Sequence, residues 1–177
     1  MPEKTQLVRF EEMVLPHLGA AYNLARWLTG NDHDADDVVQ ESYLRALKFF
    51  GGFRGENSRP WLLTIVRNTC FTWLRQNRFS ELCVELDEGI HTGETESGNP
   101  ESILLAAAQS EMVRKAIEKL PPEFREVIIL REMENLSYKE IADIASIPVG
   151  TVMSRLARAR SRLQELLSGL MTSGVGA

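Results

Sequence analysis

Three arginines near the C-terminus of this 177-residue chain have the spacing of a helix face that contacts DNA. Arg155, Arg158 and Arg162 recur every three or four residues, so a helix would place them on one side. The other side would be apolar and would carry Val152, Leu156, Ala159 and Leu163. Because arginine can donate to a guanine edge or pair with phosphates, this pattern predicts that the helix beginning at about Pro148 binds DNA. A solvated basic helix end is the plain alternative.

The elements before this helix must hold it in place. Ser137 followed by Glu140 has the spacing of a capping box, which predicts a short helix running through Ala142. A tight turn over residues 145–147 then leads into the last helix, with Ser146 at a position where glycine's freedom at positive φ would help. A helix, a turn and a helix form the arrangement that presents its second helix to the major groove.

A helical bundle is predicted for the N-terminal half. Apolar residues at spacings of three and four predict one helix over residues 10–28, which residues 29–31 end. Asp34 is a candidate N-cap for a second helix, which ends at Gly51 and Gly52. Pro60 fits the first position of a third helix running through Arg75. No stretch alternates with period two for long enough to predict a strand.

The C-terminal half is also predicted to be helical. One helix starts near Pro100 and breaks at Pro121 and Pro122, and another runs from Glu123 to about Asn135. Residues 91–100 are polar and carry Gly and Pro, which favours a linker between two packed units. The linker's acidity could keep it away from DNA, although solvated acidic linkers are common.

The charge of the chain is unevenly distributed. The net charge of −5 argues against a nucleic-acid partner, because phosphate binding depends on Lys and Arg. However, residues 57–80 and 144–164 contain arginines and no acid, whereas residues 79–113 contain acids and no Lys or Arg. The two basic tracts are therefore the candidate DNA-binding regions.

Other classes of protein find little support. The chain has neither an apolar run of membrane-spanning length nor an N-terminal signal peptide, so we expect a soluble cytoplasmic protein with no membrane insertion. Cys70 and Cys83 have no metal-ligand spacing and are interpreted as plain thiols. The three histidines lie in separate segments, which disfavours a metal enzyme. The acids from Asp32 to Asp36 lack the glycine and the final glutamate of a calcium loop.

Four segments carry a resemblance to one family. Residues 136–142 and 147–160 resemble domain 4 of the extracytoplasmic-function (ECF) sigma factors, the domain that binds the −35 promoter element. Residues 34–46 resemble the domain 2 helix that docks on the coiled coil of the RNA polymerase β′ subunit. Residues 53–57 resemble the domain 2 loop that captures a flipped −10 base.

The resemblance implies an all-α fold of two small helical domains joined by a flexible acidic linker. Domain 2 would span residues 1–79, the linker 80–102, domain 4 residues 103–170 and a tail 171–177. The implied function is that of an alternative sigma factor without catalysis, metal or cofactor. Its implied partners are core RNA polymerase through the β and β′ subunits, promoter DNA and an anti-sigma factor.

The resemblance also implies three sets of site residues. The core polymerase-binding set is Asp36, Asp37, Gln40, Glu41 and Arg45. The −10 DNA-binding set is Phe53, Arg54, Asn57, Arg59, Trp61, Arg67 and Asn68. The −35 DNA-binding set is Arg131, Tyr138, Lys139, Gly150, Thr151, Ser154, Arg155, Arg158 and Arg162.

Plain alternatives to these roles exist. The acids at the start of the second helix are also favoured by the helix dipole alone, and Trp61, Phe71 and Trp73 could simply be core residues. A different function is a helix-turn-helix repressor, or the output domain of a response regulator, that binds duplex DNA as a dimer without polymerase. A dimerisation helix or a receiver domain would support that function, and the sequence shows neither.

Overall fold

The computed structural model describes residues 2–81 and 110–173, and within these ranges every regular element is helical. The N-terminal half contains α1 (Pro2–Val14), α2 (Leu18–Thr29), α3 (Asp32–Phe49) and α4 (Ser58–Glu81). The C-terminal half contains α5 (110–118), α6 (Pro122–Ile128), α7 (Tyr138–Ala145) and α8 (Val149–Ser173). The expected all-α fold is confirmed.

The single helix predicted over residues 10–28 is wrong, because the chain forms α1 and α2 with a 3-10 turn over Leu15–His17 between them. Pro16 lies in that turn, where its missing N–H removes a helical hydrogen bond. The predicted stop after α2 is confirmed: Gly30 adopts φ 92°, a conformation that glycine accepts without steric cost.

Two predicted helix starts are also wrong. Asn31, rather than Asp34, caps α3: its backbone is extended and its side chain accepts a hydrogen bond from the Asp34 N–H at 2.8 Å. Asp34 therefore lies in the first turn of α3. Helix α4 begins at Ser58, so Pro60 is the third residue of the helix rather than the first.

The helix predicted from Glu123 to Asn135 changes its winding part-way. Helix α6 ends at Ile128, and a π-helical turn follows over Ile129–Met133. Asn135 then adopts φ 58°, a left-handed conformation that asparagine tolerates better than most residues. Periodicity alone does not reveal such a turn, because one extra residue barely disturbs the spacing of apolar side chains.

The two halves pack together in this structure. Helix α2 lies against α6, and α4 lies against α7, so that one continuous cluster of buried residues includes Leu24 and Leu62 from the first half and Ile141 and Leu156 from the second. The predicted linker over residues 80–102 falls almost entirely outside the described residues, and so does most of the tail. The predicted domain boundaries therefore stay predictions. No helix in the described ranges combines the length and apolar character needed to cross a membrane.

Candidate nucleic-acid interface

Helices α7 and α8 form the predicted helix-turn-helix. The capping box is confirmed: the Ser137 side chain accepts from the Glu140 N–H at 3.1 Å, and the Glu140 carboxylate accepts from the Ser137 N–H at 2.9 Å. Ser146 ends α7 at φ 55°, the positive φ that its position required. Ile147 N–H then donates to the Ala142 carbonyl at 3.1 Å, which fixes the turn before α8 begins at Val149.

Helix α8 has the two predicted faces. Val152, Leu156 and Ala159 are fully buried against α6 and α7. Most of the predicted −35 contacts are exposed on or beside the other face, namely Lys139, Gly150, Ser154, Arg158 and Arg162. Thr151 and Arg155 are half-buried. The exposed residues could contact DNA without any rearrangement of their own domain.

Arg131 and Tyr138, the remaining predicted −35 residues, contact each other. The Arg131 guanidinium lies 4.7 Å from the centre of the Tyr138 ring, and its Nη1 donates to the Leu136 carbonyl at 2.8 Å. These contacts connect the π-helical turn to the start of α7. Both residues are half-buried, so they can position α7 as well as approach DNA.

The predicted −10 loop lies between α3 and α4. Arg54 and Asn57 are exposed, and the Asn57 side chain accepts from the Arg59 N–H at 3.2 Å. Phe53 is buried, with its ring 4.8 Å from that of Trp61 and 6.0 Å from that of Phe50. In this arrangement the aromatic rings therefore support the loop from inside.

Two arginines of α4, Arg59 and Arg67, are held by carboxylates of the C-terminal half. Arg59 Nη2 lies 2.8 Å from Glu134 Oε2. Arg67 donates two parallel hydrogen bonds to the Glu126 carboxylate, with Nε 2.8 Å from Oε2 and Nη2 3.2 Å from Oε1. The Arg67 guanidinium also stacks 4.1 Å from the Phe71 ring, while Asn68 is exposed beside it.

Glu126 is fully buried and is approached from both halves of the chain. Besides Arg67, it has Arg155 of α8 with Nη1 at 4.0 Å from Oε1. Burial raises the pKa of Glu126, and the Arg67 hydrogen bonds and charge counteract only part of this shift. Beside this cluster, Arg67, Arg75 and Arg155 line an open groove of about 480 Å³ between α4 and the C-terminal half, together with Phe71 and Ile147.

Sequence reasoning missed Glu126, Glu134 and Asn23. Asn23 donates to Glu134 at 3.0 Å, so Glu134 is held by two residues of the N-terminal half. Glu126 directly precedes four buried apolar residues, which is the one hint in the sequence that it faces inward. Their partners in the N-terminal half lie more than 50 positions away, where periodicity carries no information.

The predicted polymerase-binding residues share one exposed face of α3. Asp36, Asp37, Gln40, Glu41 and Arg45 are all exposed. Glu41 and Arg45 form an ion pair at 2.5 Å, and Leu44 beside them is 69% exposed. Carboxylates around an apolar side chain suit a protein partner that offers arginines and an apolar pocket.

The described residues contain no group of three or more His, Cys, Asp or Glu that could hold a metal ion. Cys70 is buried, and burial raises the pKa of its thiol to about 12, so the thiol stays protonated near neutral pH. Cys83 lies outside the described residues.

Two family models match this chain in order. Residues 13–80 match the model described as Sigma-70 region 2, and residues 110–163 match the model described as Sigma-70, region 4. These matches cover the helices that carry the candidate DNA-binding arginines.

Named relatives agree with these matches. The chain is 32% identical to the ECF RNA polymerase sigma factor SigE of Mycolicibacterium smegmatis over 94% of its own length and 64% of the relative's. It is 35% identical to the ECF RNA polymerase sigma-E factor of Haemophilus influenzae, covering 84% of this chain and 81% of that one. It is 37% identical to the ECF RNA polymerase sigma-E factor of Escherichia coli K12, covering 78% of this chain and 76% of that one.

Two solved structures resemble the fold. The sigma factor RpoE of Bartonella quintana, in complex with the anti-sigma factor NepR, superposes with a TM-score of 0.73 at 31% identity and covers 90% of this chain and 97% of that one. CnrH in complex with the cytosolic domain of CnrY superposes with a TM-score of 0.60 at 27% identity, covering 90% of this chain and 88% of that one.

Proposed function

Because this chain belongs to the ECF family of sigma-70 factors, we propose that it binds core RNA polymerase, reads a −35 element as duplex and opens a −10 element. In this proposal the N-terminal half acts as domain 2 and the C-terminal half as domain 4. The chain has no catalysis of its own and supplies promoter recognition to the polymerase.

The −35 element is read by α8. The observation that carries the proposal is the exposed row of Ser154, Arg158 and Arg162 on a helix whose opposite face is buried. A helix packed in this way presents rigid side chains to the major groove, where arginine can contact guanine with two hydrogen bonds. Lys139 and the backbone N–H at Gly150 contact the flanking phosphates, while the Thr151 N–H donates to the Pro148 carbonyl at 3.0 Å.

The −10 element is opened by the loop before α4 and by α4 itself. Holding a flipped base requires contacts that offset a few kcal/mol of lost stacking. Arg54 and Asn57 on the loop, and Asn68 on α4, are exposed and can contact the single strand. Arg59 and Arg67 add phosphate contacts once they leave Glu134 and Glu126, and the rings of Phe53 and Trp61 support the loop.

The outer face of α3 binds the polymerase β′ subunit, and domain 4 adds a contact with β. An anti-sigma factor is a further proposed partner. Its support is the likeness to the RpoE structure, which was solved with the anti-sigma factor NepR.

A transcription assay tests this function. The purified chain is added to core polymerase with fragmented genomic DNA of the host, and run-off transcripts are sequenced. We expect transcripts from a small set of promoters that share one −35 and one −10 sequence. Failure to co-purify with core polymerase, or random start sites, would contradict the proposal.

The alternative is a repressor that acts without polymerase. It predicts tight binding of the free chain to operator duplex, as a dimer. A domain 2 match beside the helix-turn-helix favours the initiation factor, because a repressor has no use for a polymerase-binding helix.

A further inference from the structure

Helix α8 exposes apolar side chains at its N-terminal end. Val149 is 41% exposed and Met153 is 54% exposed, and Ala157, four residues further on, is exposed as well. Because an α-helix has about 3.6 residues per turn, residues four apart lie nearly above one another. The three side chains therefore form one row along the helix, which we call the apolar row.

The apolar row borders the arginines of the same helix. Successive residues of an α-helix are about 100° apart, which places Ser154 about 100° and Arg158 about 140° around the helix from Met153. The buried Val152 and Leu156 lie in the opposite sense from Met153. The exposed surface of α8 therefore has two flanks, one apolar and one cationic, with Ser154 between them.

The position of the apolar row indicates a ligand. Single exposed apolar residues are common and need no explanation. On the next three turns of α8, however, every exposed residue from 158 to 169 is charged, polar or glycine. The row is confined to residues 149–157, at the end of the second helix that reaches the base edges in a helix-turn-helix.

The major groove of DNA offers an apolar group to such a row. The C5-methyl group of thymine projects into the groove, and apolar side chains contact it. Met153 is more exposed than Val149 and longer than Ala157, so it reaches furthest from the helix. Its unbranched thioether side chain also adapts its shape to a small apolar partner.

We propose that Met153 determines part of the promoter specificity by packing on the methyl group of a thymine in the −35 element, next to the contacts made by the arginines of α8. This role rests on the proposed function, in which α8 reads the −35 element. Arginine contacts alone are sufficient for a helix to read DNA, so the role of Met153 can be tested separately from that function.

Charge favours duplex DNA over a protein as the occupant of the apolar row. Residues 149–164 contain four arginines and no acid. Arg158 and Arg162 are exposed on the cationic flank, so a ligand that covers both flanks must accept positive charge along one side. The phosphates and guanine edges of a duplex do so, and the thymine methyl group meets the other flank.

The test uses pairs of promoter duplexes that differ by one methyl group. Deoxyuridine replaces each thymine of the −35 element in turn, on either strand, because it pairs with adenine in the same way and lacks only the C5-methyl group. The thymine and uracil duplexes compete for holoenzyme containing the full chain. We expect one position at which uracil weakens binding about fourfold, the effect of burying one aliphatic carbon.

Three variants then assign this methyl contact to a side chain. Met153→Gln has a similar length and a polar end, so its holoenzyme should bind the thymine and uracil duplexes equally. Met153→Leu remains apolar and should keep the preference for thymine. Met171→Gln is the matched control, because Met171 is 64% exposed near the other end of α8, and it should keep the full fourfold preference.

The ratio of the two affinities separates a DNA contact from a structural role. A Met153 that only stabilised α8 would, when replaced, weaken binding of both duplexes alike and leave the ratio unchanged. The proposal is overturned if no thymine shows a uracil effect, or if the effect survives Met153→Gln. Loss of polymerase binding by Met153→Gln would assign the apolar row to a protein interface and would overturn it too.

A scrambled −35 duplex tests the proposed function in the same experiment. If the parent holoenzyme does not prefer the −35 element to the scrambled sequence, both the proposed function and the role of Met153 fail. A clear preference for the −35 element without any uracil effect overturns the role of Met153 alone.

Discussion

The outer face of α3 and the arginines of α4 and α8 differ in how ready they are for a partner. On α3, the proposed polymerase contacts are exposed, and their ion pairs lie within the helix, between Glu41 and Arg45 and between His33 and Asp37. On α4 and α8, Arg59, Arg67 and Arg155 lie against Glu134, which follows the π-helical turn, or against Glu126 on α6. Other proposed DNA contacts, among them Arg54, Arg158 and Arg162, are exposed. The α3 surface is therefore open, whereas the proposed DNA-binding surface is occupied at these three arginines.

This difference indicates an order of events. A factor that bound DNA before polymerase would compete with holoenzyme at promoters, whereas one that binds polymerase first delivers its DNA contacts at the right place. The exposed acids of α3 and the paired arginines favour a factor that binds polymerase first. Variants of each surface can test its role separately, and variants of the α3 cap and of the turn before α8 can test what these sites contribute to the free energy of unfolding.

The largest effect is expected on the open surface. Replacing Asp36 and Asp37 by arginine reverses the charge of the α3 face and should weaken polymerase binding about 100-fold, as loss of close charge pairs at an interface does. Co-purification with core polymerase and surface plasmon resonance measure it. Duplex binding by the free chain should stay within error of a Glu11→Arg and Glu12→Arg double variant, a control that makes the same charge change at two exposed acids of α1.

The control with Glu11→Arg and Glu12→Arg should bind polymerase as the parent does. If the Asp36 and Asp37 double variant also binds polymerase normally, the acids of α3 are only a solvated helix start, and the contrast between the two surfaces loses its functional meaning.

The second prediction separates two arginines of α8 that differ in their present contacts. Arg158 is exposed, so Arg158→Ala should weaken −35 binding by the holoenzyme about tenfold, the scale of one lost base contact, without affecting polymerase binding. Arg155→Ala removes both a DNA contact and a neighbour of Glu126. Unlike Arg158→Ala, it should therefore lower the free energy of unfolding as well as −35 binding, because Glu126 is buried and loses a compensating charge.

Electrophoretic mobility shifts with a promoter found by the transcription assay measure both variants. Lys119→Ala is the control, since it removes an exposed cation of the same half away from α8. An Arg158→Ala holoenzyme that binds the −35 element as tightly as the control would remove Arg158 from the reading face.

The local features of the fold were predictable where a short pattern determines them. The capping box at Ser137 and Glu140, the stop at Gly30 and the buried face of α8 all follow from spacings of three or four residues. The start of α3 was misassigned because Asn31 and Asp34 are both good caps, and the choice depends on which one adopts an extended backbone.

The occupied arginines were not predictable, for a physical reason. The sequence identified Arg59 and Arg67 as members of a tract, residues 57–80, that contains no acid, yet both side chains lie against carboxylates in the folded chain. Their partners, Glu134 and Glu126, belong to the other half. Charge pairing between domains depends on docking geometry, and no local pattern records that geometry.

The third prediction concerns how α3 presents the open surface. Asn31→Ala removes the acceptor of the Asp34 N–H and should lower the free energy of unfolding by about 1 kcal/mol. Urea denaturation followed by circular dichroism measures the change. Asn31→Ser restores a capping oxygen and should recover most of the loss. Equal losses for the two variants would show that the capping hydrogen bond does not contribute to the free energy of unfolding at this position.

The smallest effect is expected at the turn before α8. Ser146 adopts φ 55°, a left-handed conformation that disfavours residues with a Cβ, so Ser146→Gly should raise the free energy of unfolding by about 0.5–1 kcal/mol. Ser161→Gly, at an exposed position inside α8, is the control and should lower it by about 0.5 kcal/mol because glycine disfavours helix more than serine does. A loss at both positions would mean that contacts of the Ser146 side chain outweigh the cost of its left-handed backbone, and the side chain would then be what holds the turn before α8.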